Sequence, residues 1–126
     1  MQGPNPGLEK EIVVGATAVP IYRIVKKGAS EDLVIPSSAG LDKHTGVAQT
    51  GGATGARVRV GMSGIVKVEA GGTFVQGDRL TSDANGRAIV AAPGAGVNVN
   101  VIGIAMSDSV LNDIGTVLLA PSTWQG

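Results

Sequence analysis

Residues 58–92 read VRVGMSGIVKVEAGGTFVQGDRLTSDANGRAIVAA, and the fold class follows from this stretch. Arg57 to Gly61 and Ile65 to Glu69 alternate strictly, with Val58, Val60, Val66 and Val68 in the apolar phase. A two-residue period marks strands with one buried face. Pairing Val60 with Val66 and Val58 with Val68 keeps all four valines on one face, whereas a slip of one residue sets charge against them. That register predicts Met62-Ser63-Gly64 as a three-residue hairpin loop with Gly64 in its left-handed position. It also sets Arg57 opposite Glu69 and Arg59 opposite Lys67 on the outer face. Further on, Asn85-Gly86 is a strong two-residue turn signal, because both residues tolerate positive φ. It predicts a second hairpin joining Asp78–Asp83 to Arg87–Ala92, with Leu80 on the same face as Ile89 and Ala91.

The rest of the chain agrees with a β reading. Val and Ile number 26 against 7 Leu, and Gly numbers 20. β-Branched side chains suit a pleated, half-buried surface, and abundant Gly supplies turns. Val19–Val25, Leu33–Ile35, Val47–Gln49, Val99–Met106 and Thr116–Ala120 are further strand candidates between turn signals. No 3.6-residue apolar pattern persists; Gly40–Thr45 and Asp108–Asp113 suggest at most one helical turn each. There is also an internal echo. Gly46-Val47-Ala48 precedes Val58 across a Gly-rich loop as Gly103-Ile104-Ala105 precedes Val117. Two sheet layers related by a duplicated strand–loop–strand unit would explain it, and so would the dominance of Gly, Val and Ala. The expected fold is all-β: one small sandwich or barrel-like domain over residues 12–126, led by an extended arm over residues 1–11.

The arm begins MQGPNPGLEK, with two Pro and two Gly and no periodicity. Pro removes backbone donors and Gly adds chain entropy, so this segment cannot build a core. The segment is either a disordered tail or, since an extended backbone suits strand addition, an arm that orders on a neighbouring subunit or a lattice. Pro4 and Pro6 each lack a donor, so such pairing is expected to begin near Leu8 and run into Ile12-Val13-Val14. Pro4, Asn5, Pro6, Leu8, Glu9 and Lys10 are therefore candidate partner-binding residues, with Leu8 as the side-chain anchor. Arg57, Arg59 and Lys67 form a second candidate in the hairpin register above, as a small basic patch or an ordinary solvated face. Trp124, close to the C-terminus, is either a lid over the core or an interface anchor.

Several chemistries find no support. Ten basic and ten acidic residues balance, and Phe74, Tyr22 and Trp124 are the only aromatics, so neither a basic stripe nor a stacking platform for nucleic acid is present. The apolar stretches are too short to span a membrane as helices. Cysteine is absent and His44 is the single histidine, which rules out thiolate and multi-histidine metal sites. Asp42, Lys43 and His44 read as a solvated polar loop. Gly51-Gly52-Ala53-Thr54-Gly55 lacks the Lys-Ser/Thr ending and the helix of a phosphate loop. No catalytic residue, cofactor or small-molecule substrate is expected.

The stretch from Gly46 to Ala120 resembles the phage capsid decoration, or cement, proteins of the small β-tulip type, related in fold to the lambda head-stabilising protein. The shared features are Val58/Val60, Gly64/Val66/Val68, Ala70-Gly71-Gly72 with Gly77-Asp78, Asp83/Gly86/Ala88, Gly103-Ile104-Ala105 and Val117/Leu119. The resemblance implies a non-enzymatic virion protein that decorates and stabilises the shell. It implies binding to the major capsid protein on the outer surface, as a homotrimer. A tail or baseplate accessory domain is the alternative.

Overall fold

The computed structural model describes residues 5–6, 8–30 and 32–125. Among these it is all-β, with eleven strands and no helix. Strands β2 (Glu9–Val14), β3 (Ile24–Lys27), β4 (Leu33–Pro36), β5 (His44–Ala48) and β6 (Arg57–Gly61) close a barrel in the order β2-β4-β3-β5-β6. Strands β1 (Asn5–Pro6), β7 (Gly64–Glu69), β8 (Arg79–Ser82), β9 (Ala88–Val90), β10 (Asn98–Ala105) and β11 (Ile114–Gln125) form a second sheet in the order β1-β7-β11-β10-β8-β9.

The two halves repeat one plan. Strands β2 to β6 correspond in chain order to β7 to β11. The antiparallel pairs β2–β6, β5–β6, β3–β5 and β3–β4 recur as β7–β11, β10–β11, β8–β10 and β8–β9. The parallel contact that closes the barrel, Val13 beside Leu33, recurs as the parallel bridge between Ala70 and Ala88. Register agrees as well: Ala48 faces Val60 as Ala105 faces Val117. Irregular contacts are copied too. The Val19–Gly52 bridge has its counterpart in Phe74–Ser109. Tyr22 N–H donates to Ala48 C=O as Gly77 N–H does to Ala105 C=O, and both donors have positive φ. The expected strand–loop–strand echo is thus part of a duplicated five-stranded unit.

Each half has its own interior, and a wedge joins them. Ile12, Val14, Val19, Val25, Val34, Ala48, Val58 and Val60 fill the barrel. Val68, Ala70, Phe74, Leu80, Ala88, Ala105 and Val117 fill the second half. Ile24 and Val47 belong to barrel strands, yet they pack with Val66, Ile102 and Leu119 in the second core. Both are fully buried, and burying such a side chain is worth about 1.5–3 kcal/mol. Ile24 N–H also donates to Gly86 C=O, and Glu69 N–H donates to Tyr22 C=O. Across the same seam the Gln49 side chain bonds the backbone of Lys67, its Nε2 donating to the carbonyl at 2.9 Å and its Oε1 accepting from the N–H at 3.2 Å.

Three expectations are corrected. First, β6 and β7 do not pair with each other. β6 lies between β2 and β5, whereas β7 lies between β1 and β11. The valines are buried as expected and Gly64 has a φ of 81°, but 62–64 is a crossing between halves rather than a hairpin loop. Alternation fixes the buried face of a strand and leaves its partner open. Second, the Asn85-Gly86 hairpin has a three-residue loop, Ala84-Asn85-Gly86, with Leu80 facing Val90 and Ser82 facing Ala88. Asp83 causes the slip: its Oδ1 accepts from the N–H groups of Asn85 and Arg87, at 2.8 and 2.9 Å. Only Gly86 then needs a positive φ, at 79°. Ala88 consequently shares Leu80's face in place of Ile89 and Ala91. Third, Asp108–Asp113 forms a turn at Leu111-Asn112 and no helical turn.

Candidate interaction surfaces

The described residues of the expected arm are engaged within their own chain. Asn5 and Pro6 pair with Ile65 and Gly64 of β7. Leu8 N–H donates to Ser63 Oγ at 2.7 Å, and Leu8 C=O accepts from Met62 N–H. Pairing then runs from Glu9 to Val13 along β6. Pairing thus starts upstream of the expected Leu8, at Asn5, and the partner is intramolecular. The Leu8 side chain stays exposed. Pro4 lies outside the described residues.

The three basic residues are not gathered as the hairpin register implied. Arg57 faces Val13 and Arg59 faces Glu11, both on the barrel, while Lys67 faces Thr116 on the second sheet. Arg59 Nε lies 3.4 Å from Glu9 Oε2, an exposed pair of small energetic value. Lys67 Nζ sits 5.9 Å from the Tyr22 ring centroid. Gln49 keeps Arg59 and Lys67 near one another, since its N–H donates to Arg59 C=O and its side chain holds Lys67. Trp124 takes the position of a lid. It covers a small cluster of Ala91, Val99 and Val101, and the Arg79 guanidinium stacks 4.7 Å from its ring.

His44 corrects the solvated-loop reading. It opens β5, its Nδ1 lies 2.9 Å from Ser37 Oγ, and its Nε2 is buried. Burial pushes its imidazole below the ordinary value, against the pull of the Asp42 carboxylate. Burial alone would raise the Asp42 carboxyl. Hydrogen bonds from Ser38 and Lys26, with the Lys26 charge, outweigh it and leave Asp42 below its ordinary value. Lys26 Nζ stands 3.0 Å from Asp42 Oδ2, so the 38–42 loop is latched onto β3. Asn100 ties the same loop to β10, donating from Nδ2 to the carbonyls of Leu41 and Asp42. These groups hold structure together.

The surface that sequence reasoning missed lies on the outward face of the second sheet. Ile65 faces Leu118, Leu118 faces Ile104, and Ile104 faces Arg79, one row across β7, β11, β10 and β8. Leu118 and Ile104 are each 37% exposed. Side chains directly opposite one another on neighbouring strands touch, so the row is a continuous aliphatic stripe. The barrel counterparts of Leu118, Ile104 and Arg79, namely Gly61, Val47 and Ile24, are buried against the second half, whereas Ile65 stands where the barrel has the partly exposed Glu9. The same face of the repeated unit is therefore an interface in one half and bare in the other. The available signal was Leu118, an apolar residue in the outward phase between Val117 and Leu119.

A closed barrel joined to a second sheet of the same plan defines an all-β protein built by duplication. The chain belongs to the phage cement protein family, whose model matches residues 10–120. Its fold is similar to that of the N-terminal base of the head fibre protein gp8.5 of bacteriophage phi29, with a TM-score of 0.66 and 18% identity over 90% of this chain and 95% of that one. Among curated proteins, none matches the chain. The family match confirms the expected resemblance to cement proteins, and it makes the chain a capsid-associated structural protein of a phage.

Proposed function

We propose that this protein decorates the outside of the assembled phage shell and stabilises it by binding the major capsid protein lattice, and that it does so as a homotrimer. The carrying observation is the exposed pair Leu118 and Ile104 in the stripe, whose barrel counterparts Gly61 and Val47 are buried in the seam between the two halves. An exposed row of this kind marks a docking face. A neighbouring copy is its proposed occupant, and Trp124, stacked on Arg79 at the end of the stripe, is the proposed anchor. Asn5 pairs with Ile65 and Pro6 with Gly64, so these two residues and Leu8 lie beside the stripe and join the same contact in this reading. Glu9 and Lys10 contribute through the barrel strand β2. Seating three copies together lets weak single contacts act through avidity. No catalytic role is assigned.

The test is reconstitution. Purified protein is added to expanded shells that lack it, and bound copies per shell and the shell's thermal rupture are measured. Saturation in hundreds of copies with a raised rupture temperature supports shell decoration. Binding to tails in a handful of copies would support the tail or baseplate alternative instead. Leu118→Glu should keep the fold and yield a monomer by light scattering; a trimer of unchanged mass would refute the stripe's role.

A further inference from the structure

The duplication makes each half a control for the other, and the comparison exposes a second surface. In the second half two turns are joined by the Phe74–Ser109 bridge, and they carry Val75, Val110 and Leu111, which are 51%, 55% and 54% exposed. Beneath them Phe74 is buried as a plug. Aspartates fix the same turns: Asp78 accepts from Val75 N–H at 3.0 Å, Asp108 from Gln76 N–H at 2.9 Å and Asp113 from Val110 N–H at 3.1 Å. Among the described residues none of these three carboxylates is in an ion pair within the chain.

The barrel builds the same pair of turns on the same backbone, around the Val19–Gly52 bridge. There the positions of Val75, Val110 and Leu111 hold Pro20, Ala53 and Thr54. Those of Asp78, Asp108 and Asp113 hold Arg23, Gly51 and Ala56. The fold therefore needs neither the aliphatic side chains nor the carboxylates at these places. Single exposed aliphatics are ordinary on a protein surface. Three on rigid, bridged turns with unneutralised carboxylates beside them are a preorganised contact.

We propose that the turns around residues 74–76 and 108–112 are the surface by which this protein seats on the shell, and that they fit an apolar socket framed by lysine or arginine. The inference rests on the shell-binding reading above and names the side of the molecule that makes the contact. The apolar tips supply affinity and the carboxylates select a basic rim, adding speed and salt sensitivity to association.

The experiment measures decoration of expanded shells by wild type and two variants, each across a salt series, with circular dichroism and light scattering as controls. V75S/V110S/L111S should fold and assemble as wild type does, since all three side chains are more than half exposed, yet lose shell affinity by about tenfold or more. D108N/D113N keeps an acceptor oxygen for each turn. It should lose affinity several-fold and show a flatter salt dependence. A triple variant that decorates like wild type overturns the inference and points to the Arg57 and Arg59 side of the barrel. A triple variant that fails to assemble overturns it too, because the surface is then a contact between copies. Wild type that does not bind shells at all sinks the shell-binding reading itself.

Discussion

Gly46 and Gly103 occupy equivalent places in the two halves, and each should resist replacement by alanine for the same reason. A Cβ on Gly103 would fall on the Leu118 carbonyl oxygen of the partner strand and lie 3.0 Å from Val117 Cγ2. A Cβ on Gly46 would fall on the Gly61 carbonyl oxygen and lie 2.9 Å from Val60 Cγ1. Backbone cannot swing aside as a side chain can, so β10 and β11, or β5 and β6, must part by roughly an ångström at that point. Two or three ladder hydrogen bonds are then strained or lost, at about 1 kcal/mol each, and overpacking of the neighbouring valine adds about 1 kcal/mol more. The expected loss is about 3 kcal/mol for either substitution, a fall in thermal midpoint of roughly 10 °C for a domain of this size. Gly55 is the control. Its φ is 86°, but nothing lies within 4 Å of an added Cβ, so Gly55→Ala should cost only about 1 kcal/mol. Urea denaturation of the three variants at one pH checks the ordering. If Gly103→Ala unfolds within 0.5 kcal/mol of wild type, the close strand approach, and the reasoning built on it, is wrong.

Leu80 is fully buried in the second core, so Leu80→Ala should cost about 2–5 kcal/mol by denaturant midpoint, whereas Arg59→Ala, which removes only an exposed ion pair, should cost less than about 0.5 kcal/mol. Glu69 accepts from Arg23 at 3.2 Å across the seam between halves and lies 4.0 Å from Arg87 of its own half; Glu69→Gln should lower stability by about 1–2 kcal/mol, and a double-mutant cycle with Arg23→Gln should recover most of that as coupling. The folded state holds His44 more readily neutral than the unfolded chain does. Its contribution is complete above the ordinary value near 6.5 and is lost as pH falls below that toward the depressed folded value. Thermal midpoints recorded from pH 8 to 5 should fall below about pH 6.5, and less steeply in His44→Gln. Asp42 follows the same sign at lower pH, full above its ordinary 3.8 and lost beneath it.

Several features were legible in the residues alone. The excess of Val and Ile over Leu specified sheet, and the alternation at Val58, Val60, Val66 and Val68 specified which side chains lie inside. Gly64 and Gly86 both take the expected left-handed conformation, Gly86 in a hairpin and Gly64 in the crossing between halves. Each of these is a local property of the chain, set by sterics and by the two-residue period of a strand. Which strand pairs with which is not local. The β6 and β7 segments alternate as a hairpin would, yet their edge hydrogen bonds go to β2, β5, β1 and β11, some of them distant in sequence. Asp83 moved the second hairpin by one residue through two side-chain hydrogen bonds that competed with the Asn-Gly turn. The burial of His44 and the wedge of Ile24 and Val47 arise only where the two halves meet. The aliphatic stripe became visible last. Its members, Ile65, Leu118 and Ile104, lie far apart in sequence and are brought into one row by register alone.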